Sequence, residues 1–335
     1  MKAKLKPRIN LENRTRLEKV IPLSMPMILF VDPSSVCNFR CRFCPTGDHK
    51  LIKESGRWQG LMDFNLYKKV IDDLKEFNGQ LKVLRLYKDG EPLLNDNLAD
   101  MVHYARESGI VDYIDTTTNG YLLEPERIKP ILDAGLDKIN ISVDGMSDEQ
   151  FLEFTGAKVS FKKYVENIRH LYKIKGNCEI VIKTTGDSMN EAEKELFFDT
   201  FGNFADRIFI ENVVPCWPEF EIKGVEVNQE ASIYGQQIKE VLVCPYVFYS
   251  LSINSDGSAS ACFLDWSRKI IIGNVKTESV TNIWKGSRLL NYQKIFLMGK
   301  RKEHAVCGNC GQMSHGQPDD IDRYAEMLLE RLRIK

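Results

Sequence analysis

The chain has 335 residues, enough for a large buried core and about two domains. Its 43% hydrophobic and 28% charged content is that of a water-soluble globular protein, and 46 basic against 47 acidic residues leave a net charge of -1. That balance excludes the basic excess of a nucleic-acid or anionic-membrane binder and favours a small or weakly charged substrate. The basic start, "MKAKLKPRINLENRTRLEKV", has no apolar run of signal-peptide kind behind it, and no segment approaches the roughly 20 apolar residues of a membrane span. The expected location is cytoplasmic.

In chain order, the first strand-like run is "MILFVD", Met27 to Asp32, directly ahead of three cysteines. Five more runs rich in Val, Ile, Tyr and Phe follow: Leu81 to Tyr87, Val111 to Thr117, Asp137 to Val143, Cys178 to Thr184 and Asp206 to Val214. Helical periodicity fills the intervals. Tyr67, Val70, Ile71, Leu74 and Phe77 recur at offsets 0, 3, 4, 7 and 10, with Asp63 as N-cap and Gly79 beyond the end. Further helices are expected from about Asn97 to Ser108 and after Asn190. Six strand-helix repeats imply a parallel sheet with right-handed crossovers, curling into a partial (β/α)6 barrel. Functional residues then belong at the C-terminal strand ends and the loops after them.

The alternation stops near Pro215. Two strand-like runs follow, Val247 to Ile253 and Ser258 to Phe263, joined by a turn at Ser255-Asp256-Gly257. A helix from about Ser279 to Leu297, a Cys307/Cys310 pair and a charged helix from about Asp319 to Arg333 complete a smaller second unit. The expected division is an N-terminal extension (1–26), the barrel (27–214), a linker (215–243), a cysteine-bearing domain with a β-hairpin and helices (244–318), and a terminal helix (319–335).

Nine cysteines in a reducing compartment point to metal chemistry more than to disulfides. Cys37, Cys41 and Cys44 have the spacing CxxxCxxC, one short of the four ligands of a structural zinc. Three thiolates on a 4Fe-4S cluster leave one iron open to a chelating small molecule. A zinc or an unrelated iron-sulfur site completed by one distant ligand is the alternative that spacing leaves open.

"CNFRCRFC" resembles the signature of the radical S-adenosylmethionine superfamily. The resemblance implies that the open iron binds the amino and carboxylate groups of S-adenosylmethionine. Reduction then splits the sulfonium into methionine and a 5'-deoxyadenosyl radical, which takes a hydrogen atom from substrate. It places Phe43 against the adenine, and "DGEP" resembles the segment whose Gly90 and Glu91 receive the methionine ammonium. "TTTNG", with Thr118 and Asn119, and "ISVDG", with Ser142 and Asp144, resemble segments meeting the ribose and carboxylate. Lys183, ending the fifth strand, is within reach of the cofactor carboxylate. Each is an ordinary strand-end turn taken alone, and the four in register carry the resemblance.

Cys244, Cys262, Cys307 and Cys310, with "INSDGSASACFLDW" and "SVTNIW", resemble the C-terminal SPASM extension in its shortened form, called twitch. That implies one auxiliary 4Fe-4S cluster with every iron ligated, able to accept an electron. Full SPASM domains carry about seven cysteines and two such clusters, and this chain lacks the extra ones. A four-cysteine zinc fits the spacing as well.

Of the remaining cysteines, Cys178 reads as a buried small hydrophobe. Cys216, in "VVPCWPEF" after the sixth strand, is a candidate hydrogen-atom donor or an inert loop thiol. His49, His304 and His315 read as surface or locally bonded residues. The family resemblance implies an oxidoreductase served by an external one-electron reductant such as flavodoxin or ferredoxin. The expected reaction is oxidation of a carbinol in a sugar or aminocyclitol-like molecule. Radical epimerisation through a thiol and peptide modification are the alternatives, the last disfavoured because only 36 residues precede Cys37, against roughly 80 for a leader-peptide domain. A non-catalytic iron-sulfur or zinc scaffold is the reading of another class.

Overall fold

A computed structural model describes residues 1–187 and 189–333. All six expected parallel strands form: β2 (Ile28–Val31), β3 (Val83–Leu86), β4 (Ile114–Thr118), β5 (Lys138–Ser142), β6 (Glu179–Thr185) and β7 (Arg207–Glu211). They lie side by side in the order β7-β6-β5-β4-β3-β2, every pair parallel. Alternation along each strand separates two faces. Leu84, Ile114, Ile139, Ile141, Ile180, Ile182 and Ile208 are fully buried, members of the apolar core. The alternate positions Arg85, Asp115, Lys138, Lys183 and Glu211 line a cavity of about 930 Å³ on the other face.

Local capping chemistry sets the helices as expected. Asp63 accepts from Leu66 N ahead of helix Phe64–Asp73, and Asn190 and Glu193 form a capping box at helix Glu191–Phe201. Asn97 and Ser108 flank helix Leu98–Glu107.

The sheet is longer than the six repeats. Residues 1–26, expected as an extension, supply β1 (Lys4–Leu5), which pairs in parallel with β7 at one edge. At the other edge β8 (Ser250–Ile253) pairs in parallel with β2, followed by antiparallel β9 (Ser258–Ser260) and β10 (Ile271–Asn274). The hairpin is therefore the continuation of the barrel sheet, giving ten strands in one sheet. Two expected elements also break. Tyr246–Tyr249 form a helical turn rather than strand, and the Ser279–Leu297 helix splits into Val280–Trp284 and Ser287–Leu297 at Lys285-Gly286. A Cβ at position 286 would stand 2.9 Å from Asn282 O, so only glycine lets the chain turn there. The C-terminal helix is regular over Ala325–Arg333, its start drawn into a 3-10 turn, Asp322–Tyr324, that replaces the expected helix from Asp319.

Candidate active site with two cysteine clusters

Between β2 and the helical turn Pro45–Gly47, the three-cysteine loop is held by backbone contacts from other elements. Helix Asp148–Thr155 leaves carbonyls unbonded in its last turn, and the loop uses them: Arg40 N–H donates to Thr155 O (2.7 Å) and Arg42 N–H to Phe154 O (3.2 Å). Phe39, just before Arg40, is buried edge-on against Tyr121 and Phe151. The following strand end closes on the loop from the other side. Glu91 N–H donates to Val36 O (3.0 Å), and a Cβ on Gly90 would stand 2.1 Å from that same oxygen. The glycine of "DGEP" is thus dictated by close backbone approach.

Glu91 is buried and its carboxylate joins its own turn to the end of β4. Its Oε1 accepts from Leu93 N (3.0 Å) and Thr118 Oγ1 (2.7 Å), its Oε2 from Asn119 N (2.8 Å). Burial pushes its carboxyl up to about 7, against the pull of these donors. A carboxylate has about four lone-pair sites, so one stays open for a further donor. Asn119 Nδ2 donates to Asn38 Oδ1 (2.7 Å) and stands 3.8 Å from Cys37 Sγ. Asp144 Oδ2 lies 3.8 Å from Cys41 Sγ. Lys183 is paired with Glu211 (3.2 Å) while facing the cavity. Phe43, Gly90, Thr118 and Ser142 line the same cavity, so all the expected front-site residues meet there.

Several residues with no sequence signal complete the site. Tyr164 Oη is within hydrogen-bond distance of Asn119 O (3.0 Å) and Ser142 O (3.1 Å), pinning two strand ends. Behind Gly90 lies a buried charge web. Asp89 meets Lys88 (3.0 Å), Arg268 (2.5 Å) and Arg57 (3.6 Å), and its N–H donates to Asp32 Oδ1 (3.2 Å). The flanking cations hold the Asp89 carboxyl below its usual range despite burial, whereas burial and the Asp89 charge push Asp32 up to about 6. Arg268, in the left-handed region at φ 60°, comes from the loop after Cys262.

The rear quartet gathers as expected. Cys244, Cys262, Cys307 and Cys310 line a second cavity of about 30 Å³, walled by Leu264, Phe296, Val306 and Met313. Buried Arg301 donates to Leu242 O (2.8 Å) and Cys307 O (2.6 Å), placing a cation beside the thiols. His304 Nδ1 accepts from Val306 N (3.3 Å) and Cys307 N (3.2 Å), a local role, and Cys178 is buried. The two cavities share Tyr246, Leu264 and Gln312, so one layer of side chains separates them. Cys216 lines the larger cavity, and its carbonyl oxygen lies 3.8 Å from Cys310 Sγ.

Both thiol sets suit iron-sulfur clusters. Burial pushes Cys37 and Cys244 up to about 12 and raises Cys41, Cys44, Cys262, Cys307 and Cys310, so thiolates there call for a metal to hold their charge. Among the described residues no three His, Cys, Asp or Glu side chains converge on a single ion. Each set of cysteines instead lines a cavity, Cys37, Cys41 and Cys44 the larger one and the rear quartet the smaller. Among the described residues no helix is long and apolar enough to cross a membrane.

Comparison with known proteins agrees. The profile of the Radical SAM superfamily matches residues 31–197, and that of the SPASM iron-sulfur cluster-binding domain matches residues 244–311. The tungsten-containing aldehyde ferredoxin oxidoreductase cofactor-modifying protein of Pyrococcus furiosus is 24% identical over 84% of this chain and 86% of its own length. The S-adenosyl-L-methionine-dependent 2-deoxy-scyllo-inosamine dehydrogenase of Niallia circulans is 24% identical over 87% of this chain and 95% of its own. The structure of BtrN in complex with AdoMet and 2-DOIA shares the fold, with TM-score 0.56 and 20% identity, covering 85% of this chain and 93% of that one. A three-cysteine loop at a parallel-sheet cavity, a second four-cysteine site one layer behind it and these two profile matches together place the chain in the radical S-adenosylmethionine superfamily, as an oxidoreductase with S-adenosylmethionine, a 4Fe-4S cluster and a SPASM-type auxiliary iron-sulfur site.

Proposed function

We propose that this enzyme oxidises a carbinol carbon of a small polyol or sugar-like molecule, with the rear site as the electron acceptor. When bound, the front cluster and S-adenosylmethionine supply hydrogen-atom abstraction, and the rear cluster supplies a one-electron sink. In this reading Cys37, Cys41 and Cys44 hold the front cluster, and Cys244, Cys262, Cys307 and Cys310 the rear one. Glu91, with its open lone pair, and Gly90 receive the methionine ammonium. Asn119, Thr118, Ser142 and Asp144 contact the ribose and carboxylate, Lys183 offers its ammonium to the carboxylate, and Phe43 lies at the adenine. The observation that carries the reading is the shared wall: Tyr246, Leu264 and Gln312 line both the larger cavity and the cavity of the rear thiols. The likeness to a dehydrogenase of a cyclitol amine supports the same reaction type. An external one-electron reductant completes the cycle.

A second reading rests on Cys216. Its thiol faces the cavity and burial keeps it protonated, so it has a hydrogen atom to return to a substrate radical, as an epimerase requires.

One set of assays on the anaerobically reconstituted, reduced protein separates these. Oxidation predicts one 5'-deoxyadenosine per ketone, carrying deuterium from a carbinol-labelled substrate. Epimerisation predicts a redox-neutral product with solvent deuterium that is lost in Cys216→Ala. Absence of 5'-deoxyadenosine under strong reductant would sink both.

A further inference from the structure

The cavity wall opposite the cysteine loop carries more positive charge than the chain's overall balance suggests. Strand register stacks Phe30, Arg85, Asp115 and Lys138 across four neighbouring strands, Phe30 beside Arg85, Arg85 beside Asp115 and Asp115 beside Lys138. A barrel interior at this depth is ordinarily filled by Val, Ile and Leu. Here two cations share one carboxylate: Asp115 Oδ2 lies 3.3 Å from Lys138 Nζ and 3.9 Å from Arg85 Nε. The same pattern recurs one strand pair away, where Glu211 is shared by Lys183 (3.2 Å) and Arg8 (3.1 Å). Four cations thus face two carboxylates.

The arginines are also incompletely bonded. Arg8 Nε and Glu211 Oε1 are near each other but misaligned, and neither makes a hydrogen bond. Arg85 Nε and Asp115 Oδ1 are likewise buried without partners. Beyond its long ion pair with Asp115, Arg85 is held by aromatic groups: its Nη1 donates to Tyr87 Oη (2.9 Å), and its guanidinium lies 5.4 Å from the centre of Phe30. Arg8 and Arg85 line one cavity and stand near enough for each to disfavour the other's charge. Two guanidinia on one cavity, each with an unmatched Nε donor, are groups that an oxyanion can satisfy. Of the other carboxylates on this cavity, Glu91 takes three donors, Asp89 pairs with Lys88 and Arg268, Asp319 pairs with Arg14, and Asp144 lies beside Cys41, with Glu12 at the cavity lining as well.

Building on the carbinol-oxidation reading, we infer that the substrate carries an oxyanion, a phosphate ester or a carboxylate, bound by Arg8 and Arg85. An anionic group at this wall is carried by a sugar phosphate or a polyhydroxy acid.

The test titrates inorganic phosphate, and separately acetate, into the reconstituted enzyme loaded with S-adenosylmethionine, with binding read by calorimetry. The expected result is saturable binding of at least one anion. It should weaken about tenfold or more in Arg8→Gln and Arg85→Gln, less in Arg85→Lys, and not at all in the exposed control Arg288→Gln. Tighter phosphate assigns a phosphate ester, and tighter acetate assigns a carboxylate. If wild-type protein binds neither, or if Arg8→Gln and Arg85→Gln bind as wild type does, the inference is overturned. The wild-type titration decides even where a variant does not fold. Formation of 5'-deoxyadenosine by the same preparation keeps the two readings apart: its presence without anion binding overturns this inference alone, and its absence overturns the reading beneath it.

Discussion

Glu91 shows how one carboxylate can serve both fold and site. Its three donors come from its own turn and from the end of β4, so its protonation state bears on how the strand ends pack. Because its carboxyl is raised from 4.5 to about 7, the folded protein binds more protons than the unfolded chain between those values. Stability from this group is full below the unfolded value and is lost as pH rises through the folded one, by about 3 kcal/mol at most. Urea midpoints measured from pH 5 to 8 should fall for wild type, with a flatter profile in Glu91→Gln. Parallel profiles for the two proteins refute the assignment. "DGEP" announced this residue by its place at a strand end, but two of the donors that hold its carboxylate are 27 and 28 residues away. Tyr164 illustrates the opposite case. It lies on a helix with ordinary periodicity, and nothing local marks it as the group bonded near Asn119 O and Ser142 O.

Among elements, the Asp89 web ties the strand end bearing Gly90 and Glu91 to the loop after Cys262. Arg268 reaches Asp89 across 179 residues of sequence, and Lys88 donates to Asp265 O (3.2 Å) in the same loop. The web therefore links the front-site strand end to the rear-site loop. Asp89→Asn leaves Lys88, Arg57 and Arg268 buried with too little negative charge, a loss of about 3–5 kcal/mol. Chemical denaturation should show it as a lower midpoint with an unchanged slope. A variant within about 0.5 kcal/mol of wild type contradicts the web's structural role. The hairpin belongs to this scale as well. Its strand pattern and Asp256-Gly257 turn were readable, but its parallel pairing with β2 was not, because register between segments more than 200 residues apart leaves no local trace.

For the whole molecule, the front and rear sites share one sheet, one charge web and one wall of side chains. If the rear site is an electron acceptor, Cys262→Ala with Cys307→Ala should remove about half of the iron and abolish oxidised product, with 5'-deoxyadenosine still formed. Full iron content, or zinc at the rear site of the wild type, defeats the auxiliary-cluster assignment.

Cysteine spacing, strand alternation and the strand-end turns are local patterns, and they pointed to the superfamily and the parallel core and singled out seven candidate cluster cysteines before any coordinates. They do so because a metal site and an amphipathic strand constrain residues only a few positions apart. What the tertiary structure alone decided is which distant surfaces meet: β1 and β8 at the two edges of the sheet, Arg268 against Asp89, and Arg8 beside Arg85. A net charge of -1 averages over the whole chain, whereas the charge a substrate meets is set by the few inward-facing side chains that the sheet gathers around one cavity.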